Sequence, residues 1–197
     1  VLNQKLEKLI RLILVFISYS PLYILSVPIV LFIHLIRNYY LIRFQEIVSS
    51  RVGHLAANVD IYLCEKKHKI NTPKQKYIDI FFKDRDLIAN KYLFNIWKTK
   101  ILILPRFILY PIFRINKFFP NYKLHEVSDN SQNDRDIHNL LDLNRPNLSL
   151  TENEKKKGKI FLEKCGLSEN SKFVCLIVRD SAYLPNLAYH NYRDGEI

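Results

Sequence analysis

Residues 41–54 read LIRFQEIVSSRVGH, an extended segment that runs into a polar, glycine-containing turn. The β-branched and aromatic residues within 41–48 are typical of a strand, although both of its faces carry polar side chains. The turn occupies Ser49–His54, and apolar residues then recur at helical spacing from Leu55 to Leu63. This stretch therefore predicts a strand, a loop and a helix in succession, which is the unit from which parallel sheets are built.

A second strand and helix follow along the chain. The strand is predicted over 76–82, KYIDIFF, and the charged turn Lys83–Asp86 closes it. The helix is predicted over 87–100, and its inner face comprises Ala89, Leu93, Ile96 and Trp97. A short strand is predicted over 122–127, YKLHEV. This alternation of strand and helix predicts an α/β fold, a Rossmann-like domain with a largely parallel sheet.

The region beyond residue 150 repeats the pattern. Thr151 and Glu154 form a capping box, with the threonine at the start of a helix and the glutamate reaching back. Gly166 ends that helix in the left-handed conformation that glycine tolerates. The uninterrupted apolar residues 173–178, FVCLIV, are typical of a strand covered on both faces. We therefore expect 151–197 to begin a second α/β domain.

An apolar segment precedes the first strand. Residues 12–36 carry no permanently charged side chain, and about 20 such residues suffice to cross a bilayer. Pro21 and Pro28 each remove a backbone donor and can bend a helix, so a straight span and a bent, re-entrant helix both remain open. The predicted organisation is an apolar, membrane-anchoring helical segment, an acceptor-side domain, a polar linker and the incomplete start of a donor-side domain: 1–40, 41–127, 128–150 and 151–197.

The positive charge is concentrated in the middle of the chain. The net charge is +11, and residues 66–123 contain 14 Lys and Arg against 3 Asp and Glu. Within this block, residues 98–119 mix basic side chains with Ile, Leu, Phe and Tyr, a composition that suits the lipid headgroup layer. A core helix with solvated lysines is the alternative. Nucleic acid is not expected as a partner, because no helix-turn-helix, zinc or RNP-type signature occurs.

Several common enzyme classes lack their motifs in this chain. There is no GxGxxG, GxxxxGK[ST], HExxH or GxSxG pattern, so dinucleotide enzymes, P-loop NTPases, zincins and serine hydrolases have no support. The three cysteines, Cys64, Cys165 and Cys175, are far apart and lie in apolar patterns. We read them as buried thiols rather than as metal ligands or disulfides. No metal and no cofactor is predicted.

Two strand ends are the candidate binding positions. Arg179, Asp180 and Ser181 directly follow the strand 173–178, and ligands of open parallel sheets bind beyond the carboxyl ends of strands. In the first unit Arg51, Gly53 and His54 lie at the turn from strand to helix, where a helix start favours an anion. An arginine can grip phosphate or carboxylate with two hydrogen bonds. An Arg–Asp pair that only stabilises a loop is the alternative at 179–180.

Four stretches together resemble a family of bacterial glycosyltransferases from surface-polysaccharide and O-antigen loci. They are SSRVGHLAANVDIYL, IANKYLFNIWK, LSLTENEKKKGKIFLEKCGL and FVCLIVRDSAYL with the following YHNYRDGEI. The resemblance runs from about residue 41 onward, and the strand FVCLIVRDSAYL with the later YRD is its most specific part. It implies a GT-B-like arrangement, in which two Rossmann-like domains face each other across a cleft.

The resemblance also implies roles for individual residues. The acceptor-side loop would contain Arg51, Gly53, His54 and Asn58. The donor side would contain Arg179, Asp180, Ser181 and Tyr183, and its edge would be completed by His190, Arg193 and Asp194. An inverting transfer needs a base for the acceptor hydroxyl, and the candidates are His54 and Asp180.

The expected function is therefore that of a membrane-associated glycosyltransferase, or a fragment of one. It would transfer a sugar from a nucleotide-sugar donor to a lipid-linked or surface-polysaccharide acceptor at the cytoplasmic face of the bacterial inner membrane. Its partners would be membrane lipid, the nucleotide sugar and the lipid-linked glycan. Because the donor domain has barely begun when the chain ends, we expect the chain to be truncated and inactive alone. The alternative is a non-catalytic, membrane-anchored phosphate- or lipid-binding assembly protein.

Overall fold

The computed structural model describes residues 21–127, 135–168, 171–172 and 174. Two compact units divide the chain, Val1–Ser149 and Leu150–Ile197, and each is described here by itself. Only Val174 of the predicted strand 173–178 is described, and all of the predicted donor-side positions lie outside the described residues.

A three-stranded parallel sheet forms the centre of the first unit. Its strands are β1 (Tyr40–Ile47), β2 (Lys76–Lys83) and β3 (Leu102–Ile103), in the order β1-β2-β3. The sheet is parallel throughout, and its register places Arg43 opposite Asp79 and Ile80 opposite Leu102. The predicted α/β fold with a parallel sheet is confirmed, and this core is consistent with a Rossmann-like domain.

Helices cover both faces of this sheet. The first helix, α1, covers residues 21–36 in the described part of the chain. It is followed by α2 (Val52–Lys67), α3 (Lys91–Lys98), α4 (Arg106–Asn116), a 3₁₀ helix (Tyr122–His125), α5 (Leu140–Leu143) and, in the second unit, α6 (Glu152–Lys164). One apolar cluster joins α2 and α3 to the sheet and includes Leu55, Trp97 and Phe81. The other joins α1 and α4 to the opposite face and includes Val30, Ile112 and Phe82.

Phe81 and Phe82 show why the sheet is covered on both sides. Successive residues of a strand point to opposite faces, so these two phenylalanines belong to different apolar clusters. Trp97 is fully buried in the first cluster, and its indole N–H donates to the carbonyl oxygen of Leu55 at 2.7 Å. This hydrogen bond lets a polar ring atom lie in the core without cost.

Three element predictions differ from the structure. The strand predicted at 122–127 is a 3₁₀ helix with one bridge from Glu126 to Phe44, because Asn121 adopts a left-handed turn (φ 64°) and redirects the chain. The third strand lies instead at Leu102–Ile103, inside the stretch predicted as one amphipathic segment. Helix α3 begins at Lys91 rather than residue 87, because the side chain of Asn90 accepts from the backbone N–H of Leu93 and caps it.

The second unit confirms the local signals of its helix. Both hydrogen bonds of the capping box between Thr151 and Glu154 are present, and Gly166 has φ of 81°. However, α6 buries none of its residues, so Cys165 is exposed, contrary to the prediction of a buried thiol. Helical spacing shows which residues share a face, but it does not supply the element that would cover that face.

The apolar segment 12–36 is only partly described, since residues 12–20 lie outside the described residues. In the portion of the chain for which the structure gives positions, no helix combines the length and the hydropathy needed to cross a membrane.

Candidate functional site

A cleft of about 460 Å³ lies at the carboxyl ends of β1 and β2. Its lining side chains come from the ends of both strands, the turn after β1 and the starts of α2 and α4: Glu46, Val48, Ser50, Arg51, His54, Asp84, Arg85 and Arg106. In open parallel sheets this is the edge at which ligands bind. The volume falls within the range that small-molecule sites occupy.

Asp84 ties the two strand ends together. Its carboxylate accepts hydrogen bonds from the backbone N–H and the hydroxyl of Ser49, at 2.8 and 2.9 Å, and from the hydroxyl of Ser50 at 3.2 Å. Its own backbone N–H donates to the carbonyl oxygen of Ile47 at 2.8 Å. The turn after β1 is therefore held in one conformation, which orders the floor of the cleft.

The start of α2 opens into this cleft. Arg51 is the N-cap residue, in extended conformation, and its carbonyl oxygen accepts from the N–H of Leu55 at 2.9 Å. The first turn of the helix, which contains His54, has no acidic side chain. The positive end of the helix dipole and the arginine guanidinium thus act at the same place, which favours a negatively charged ligand.

Two further guanidinium groups line the cleft from the side of β2 and α4. Arg85 Nε lies 3.6 Å from Asp84 Oδ2. Arg106 Nε donates to the carbonyl oxygen of Asp84 at 2.7 Å, and its guanidinium lies 4.0 Å from the ring centre of Tyr110. Arg106 is therefore held in place from two sides. Three arginines around one cleft suit phosphate or carboxylate groups.

Glu46 is the group in this cleft whose acidity is altered. Burial raises the pKa of its carboxyl group above the ordinary value, and the nearby charge of Asp84 adds to this, while Arg106, Lys117 and Arg85 act in the opposite direction. A carboxylate with a raised pKa is a stronger base than one in water. Glu46 is accordingly a candidate proton acceptor in this cleft.

Only some of the site residues predicted from the sequence line the cleft. Arg51 and His54 line the cleft together. Gly53 is exposed in the first turn of α2, where an added Cβ would meet nothing within 4 Å. Asn58 is buried one turn later and is not among the lining residues, and its Oδ1 has no hydrogen-bond partner within the described part of the chain. The remaining predicted positions lie outside the described residues: Arg179, Asp180, Ser181, Tyr183, His190, Arg193 and Asp194.

Sequence reasoning missed four charged residues of the lining, Glu46, Asp84, Arg85 and Arg106. Asp84 and Arg85 had a usable signal, because the turn after β2 must lie beside the turn after β1 if the two strands are parallel. Glu46 was assigned to a mixed strand face, and the alternation of that strand does not show which face ends at a cleft. To predict Arg106 as a lining residue, one must know where β3 lies, and the sequence did not reveal this.

Metal ligands do not cluster in the described ranges 21–127 and 135–168, where no group of three or more His, Cys, Asp or Glu side chains could hold an ion. Comparison of the chain with known protein families, with curated proteins and with solved structures found no match in any of the three. The chemistry of the cleft must therefore be argued from its own residues.

Proposed function

We propose that the chain is part of a membrane-associated glycosyltransferase that moves a sugar from a nucleotide-sugar donor to a lipid-linked or surface-polysaccharide acceptor. Its place would be the cytoplasmic face of the bacterial inner membrane. In this proposal the cleft of the first unit holds the phosphate-bearing part of the acceptor. The observation that carries it is the joining of three arginines, His54 and Glu46 at the carboxyl edge of a parallel sheet. The resemblance of the four sequence stretches supports the same assignment.

The roles follow from the chemistry of each side chain. Arg51, Arg85 and Arg106 would bind the phosphate oxygens of a lipid pyrophosphate, with the start of α2 contributing backbone N–H groups. His54 or Glu46 would accept the proton of the attacking sugar hydroxyl. Asp84, which accepts three hydrogen bonds, would keep the turn in position and would not itself react.

Binding of inorganic pyrophosphate by the full chain tests the cleft. A hydrogen bond to a charged group contributes about 1.5–3 kcal/mol, so Arg106→Gln should weaken binding roughly tenfold or more, and Arg51→Gln likewise. The matched control is Arg145→Gln, because Arg145 is exposed and does not line the cleft. Equal affinities of wild type and both cleft variants by calorimetry would contradict the proposal.

Transfer itself is tested with labelled nucleotide sugars and a polyprenyl-pyrophosphoryl sugar. In a preparation that transfers sugar, Glu46→Gln and His54→Asn should identify the base. The variant that lacks the base should transfer sugar roughly a hundredfold more slowly, or slower still, and should keep its affinity for pyrophosphate. If the protein binds pyrophosphate in this cleft but transfers no sugar, the result would favour the non-catalytic phosphate-binding alternative.

A further inference from the structure

Helix α1 packs against the rest of the first unit along one narrow stripe. Ser26, Val30 and Ile33, spaced at i, i+4 and i+7, are its buried residues in the described range 21–36. Val30 and Ile33 pack in the cluster that contains Phe44 and Phe82 of the sheet. This part of the apolar segment therefore lies along the protein, and lipid could reach it from one side only.

The opposite side of α1 is apolar and exposed to solvent. Seven of its large apolar side chains are more than a third exposed: Ile24, Leu25, Val27, Ile29, Leu31, Phe32 and Leu35. The most exposed are Leu35, at 76%, and Ile24, at 70%. No Asp, Glu, Lys or Arg occurs from residue 21 to residue 36. Contiguous apolar surface of this kind is uncommon on soluble proteins and marks contact sites for proteins or membranes.

Helix α4 extends this surface, because it packs on the same face of the sheet as α1. Leu109, Pro111, Ile112 and Phe113 are its buried apolar residues. Phe107 and Ile108 in its first turn are exposed, at 55% and 44%, and Phe118 follows just past the helix end at 82%. We call the exposed sides of α1 and α4, with Phe118, the outer surface.

The charges around the outer surface indicate what covers it. Residues 106–123, which cover α4 and the turn after it, contain four Lys or Arg and no Asp or Glu, and Arg114 is exposed on α4. Exposed aliphatic side chains bordered by aromatic rings and cations match the boundary between acyl chains and anionic headgroups. A protein partner of ordinary composition would not explain why acidic residues are absent from the whole stretch.

We propose that the outer surface docks onto an anionic lipid bilayer, with α1 lying in the plane of the membrane over residues 21–36 rather than crossing it. Arg106 lines the cleft while its neighbour Phe107 is exposed on the outer surface, so the cleft begins where the bilayer contact ends. This deepens the proposed function by placing the phosphate site beside the headgroup layer. The docking itself stands on exposure and charge and does not depend on sugar transfer.

Depth measurements on the full chain test this geometry. Single cysteines at Leu25, Leu35 and Phe107, in a Cys64→Ala/Cys165→Ser/Cys175→Ser background, would carry nitroxide labels. Vesicles of phosphatidylcholine containing phosphatidylglycerol would serve as the bilayer. Leu25 and Leu35 are ten residues apart, so a crossing helix would separate their depths by about 15 Å. In-plane docking predicts similar shallow depths for all three labels.

Leu143 provides the matched control, because it is 73% exposed but belongs to α5. A label there should remain in water. The proposal is overturned if the labels at Leu25, Leu35 and Phe107 stay as water-accessible as the one at Leu143, or if their depths differ as a span requires. Protection of these positions by a stable dimer without vesicles would instead assign the surface to a second copy.

Vesicle flotation gives a second, independent readout. Phe32→Gln combined with Phe107→Gln should weaken binding to the anionic vesicles roughly tenfold, because two aromatic rings lose part of their burial. Leu143→Gln should leave binding unchanged. Arg114→Gln should matter for anionic vesicles and not for pure phosphatidylcholine. Unchanged flotation of the double variant would contradict the docking surface, whether or not the protein transfers sugar.

Discussion

Glu46 is a candidate proton acceptor, and its carboxylate also lowers the stability of the folded protein at neutral pH. It is the penultimate residue of β1 and lies in the cleft, where burial raises the pKa of its carboxyl group above 4.5. The folded state therefore holds this proton to a higher pH than the unfolded chain does. The stability that this provides is fully present below the unfolded pKa and is lost as the pH rises through the folded pKa. At neutral pH the half-buried anion consequently destabilises the fold.

Glu46→Gln should therefore stabilise the protein at neutral pH while it removes a candidate base. We expect a higher melting temperature than wild type at about pH 7, and a gain that shrinks towards about pH 4. Thermal unfolding followed by circular dichroism at both pH values measures this. Glu163→Gln, at an exposed position of α6, is the control. A variant that is equally stable relative to wild type at both pH values would argue against a raised pKa.

A buried ion pair joins facing residues of β1 and β2. Arg43 Nε and Nη2 donate to the two carboxylate oxygens of Asp79 at 2.7 and 2.9 Å. The hydroxyl of Tyr62 also donates to Asp79, at 2.8 Å, and Arg43 Nη1 donates to the carbonyl oxygen of Asn71 at 2.7 Å. Burial raises the pKa of Tyr62 strongly, and the neighbouring Asp79 adds to this, so its hydroxyl remains a donor.

Removing one charge of this pair should be costly. Asp79→Asn leaves a buried guanidinium without its counter-ion and should lower the free energy of unfolding by about 3–5 kcal/mol. The double variant Arg43→Met/Asp79→Leu should lose less, because it removes both buried charges. Asp86→Asn is the matched control, because the carboxylate of the Lys83–Asp86 pair is fully exposed and its removal should leave stability nearly unchanged.

Urea unfolding followed by the fluorescence of Trp97, the single tryptophan and fully buried, measures all three variants. A double variant that is less stable than Asp79→Asn would mean that the pair itself stabilises the sheet.

Elements were predicted well where the local signal and the tertiary environment agree. The capping box at Thr151 and the left-handed Gly166 depend on neighbouring residues only, and both are present. The error at 122–127 has a different origin. His125 is fully buried, and its Nδ1 lies 2.7 Å from the carbonyl oxygen of Ile42, so this segment contacts β1 through a side chain. No local pattern distinguishes these two ways of packing beside a strand.

At the scale of the whole first unit, two histidines connect α1 with the sheet. His34 lies on α1, and its Nε2 is 2.8 Å from Asn116 Oδ1 of α4. Its ring centre is 4.4 Å from that of His125. Burial lowers the pKa of His125; the hydrogen bond to Ile42 opposes this effect, and the charges of His34 and Arg37 lower the pKa further. The folded state therefore favours the neutral imidazole of His125.

Acidification should consequently weaken this connection. Because the folded pKa of His125 lies below the unfolded value near 6.5, its contribution to stability is present above that value and is lost as the pH falls through the folded pKa. We expect wild type to lose more stability between about pH 7.5 and about pH 5 than His125→Asn, whose amide can still donate to Ile42. Urea unfolding at both pH values measures the difference. Parallel pH profiles of the two proteins would contradict this role.

The sequence by itself determined the α/β class, the parallel arrangement of the first two strands, the helix cap at Thr151 and the placement of Arg51 and His54 at a strand end. These properties arise from periodicity and from residues close together in the chain. Only the tertiary structure decided that Glu46, Asp84 and Arg106 join them in one cleft, and that α1 packs by one stripe and leaves its other side exposed. The reason is physical, because burial, pKa and the cover of an apolar face depend on elements far apart in the chain, which local patterns do not encode.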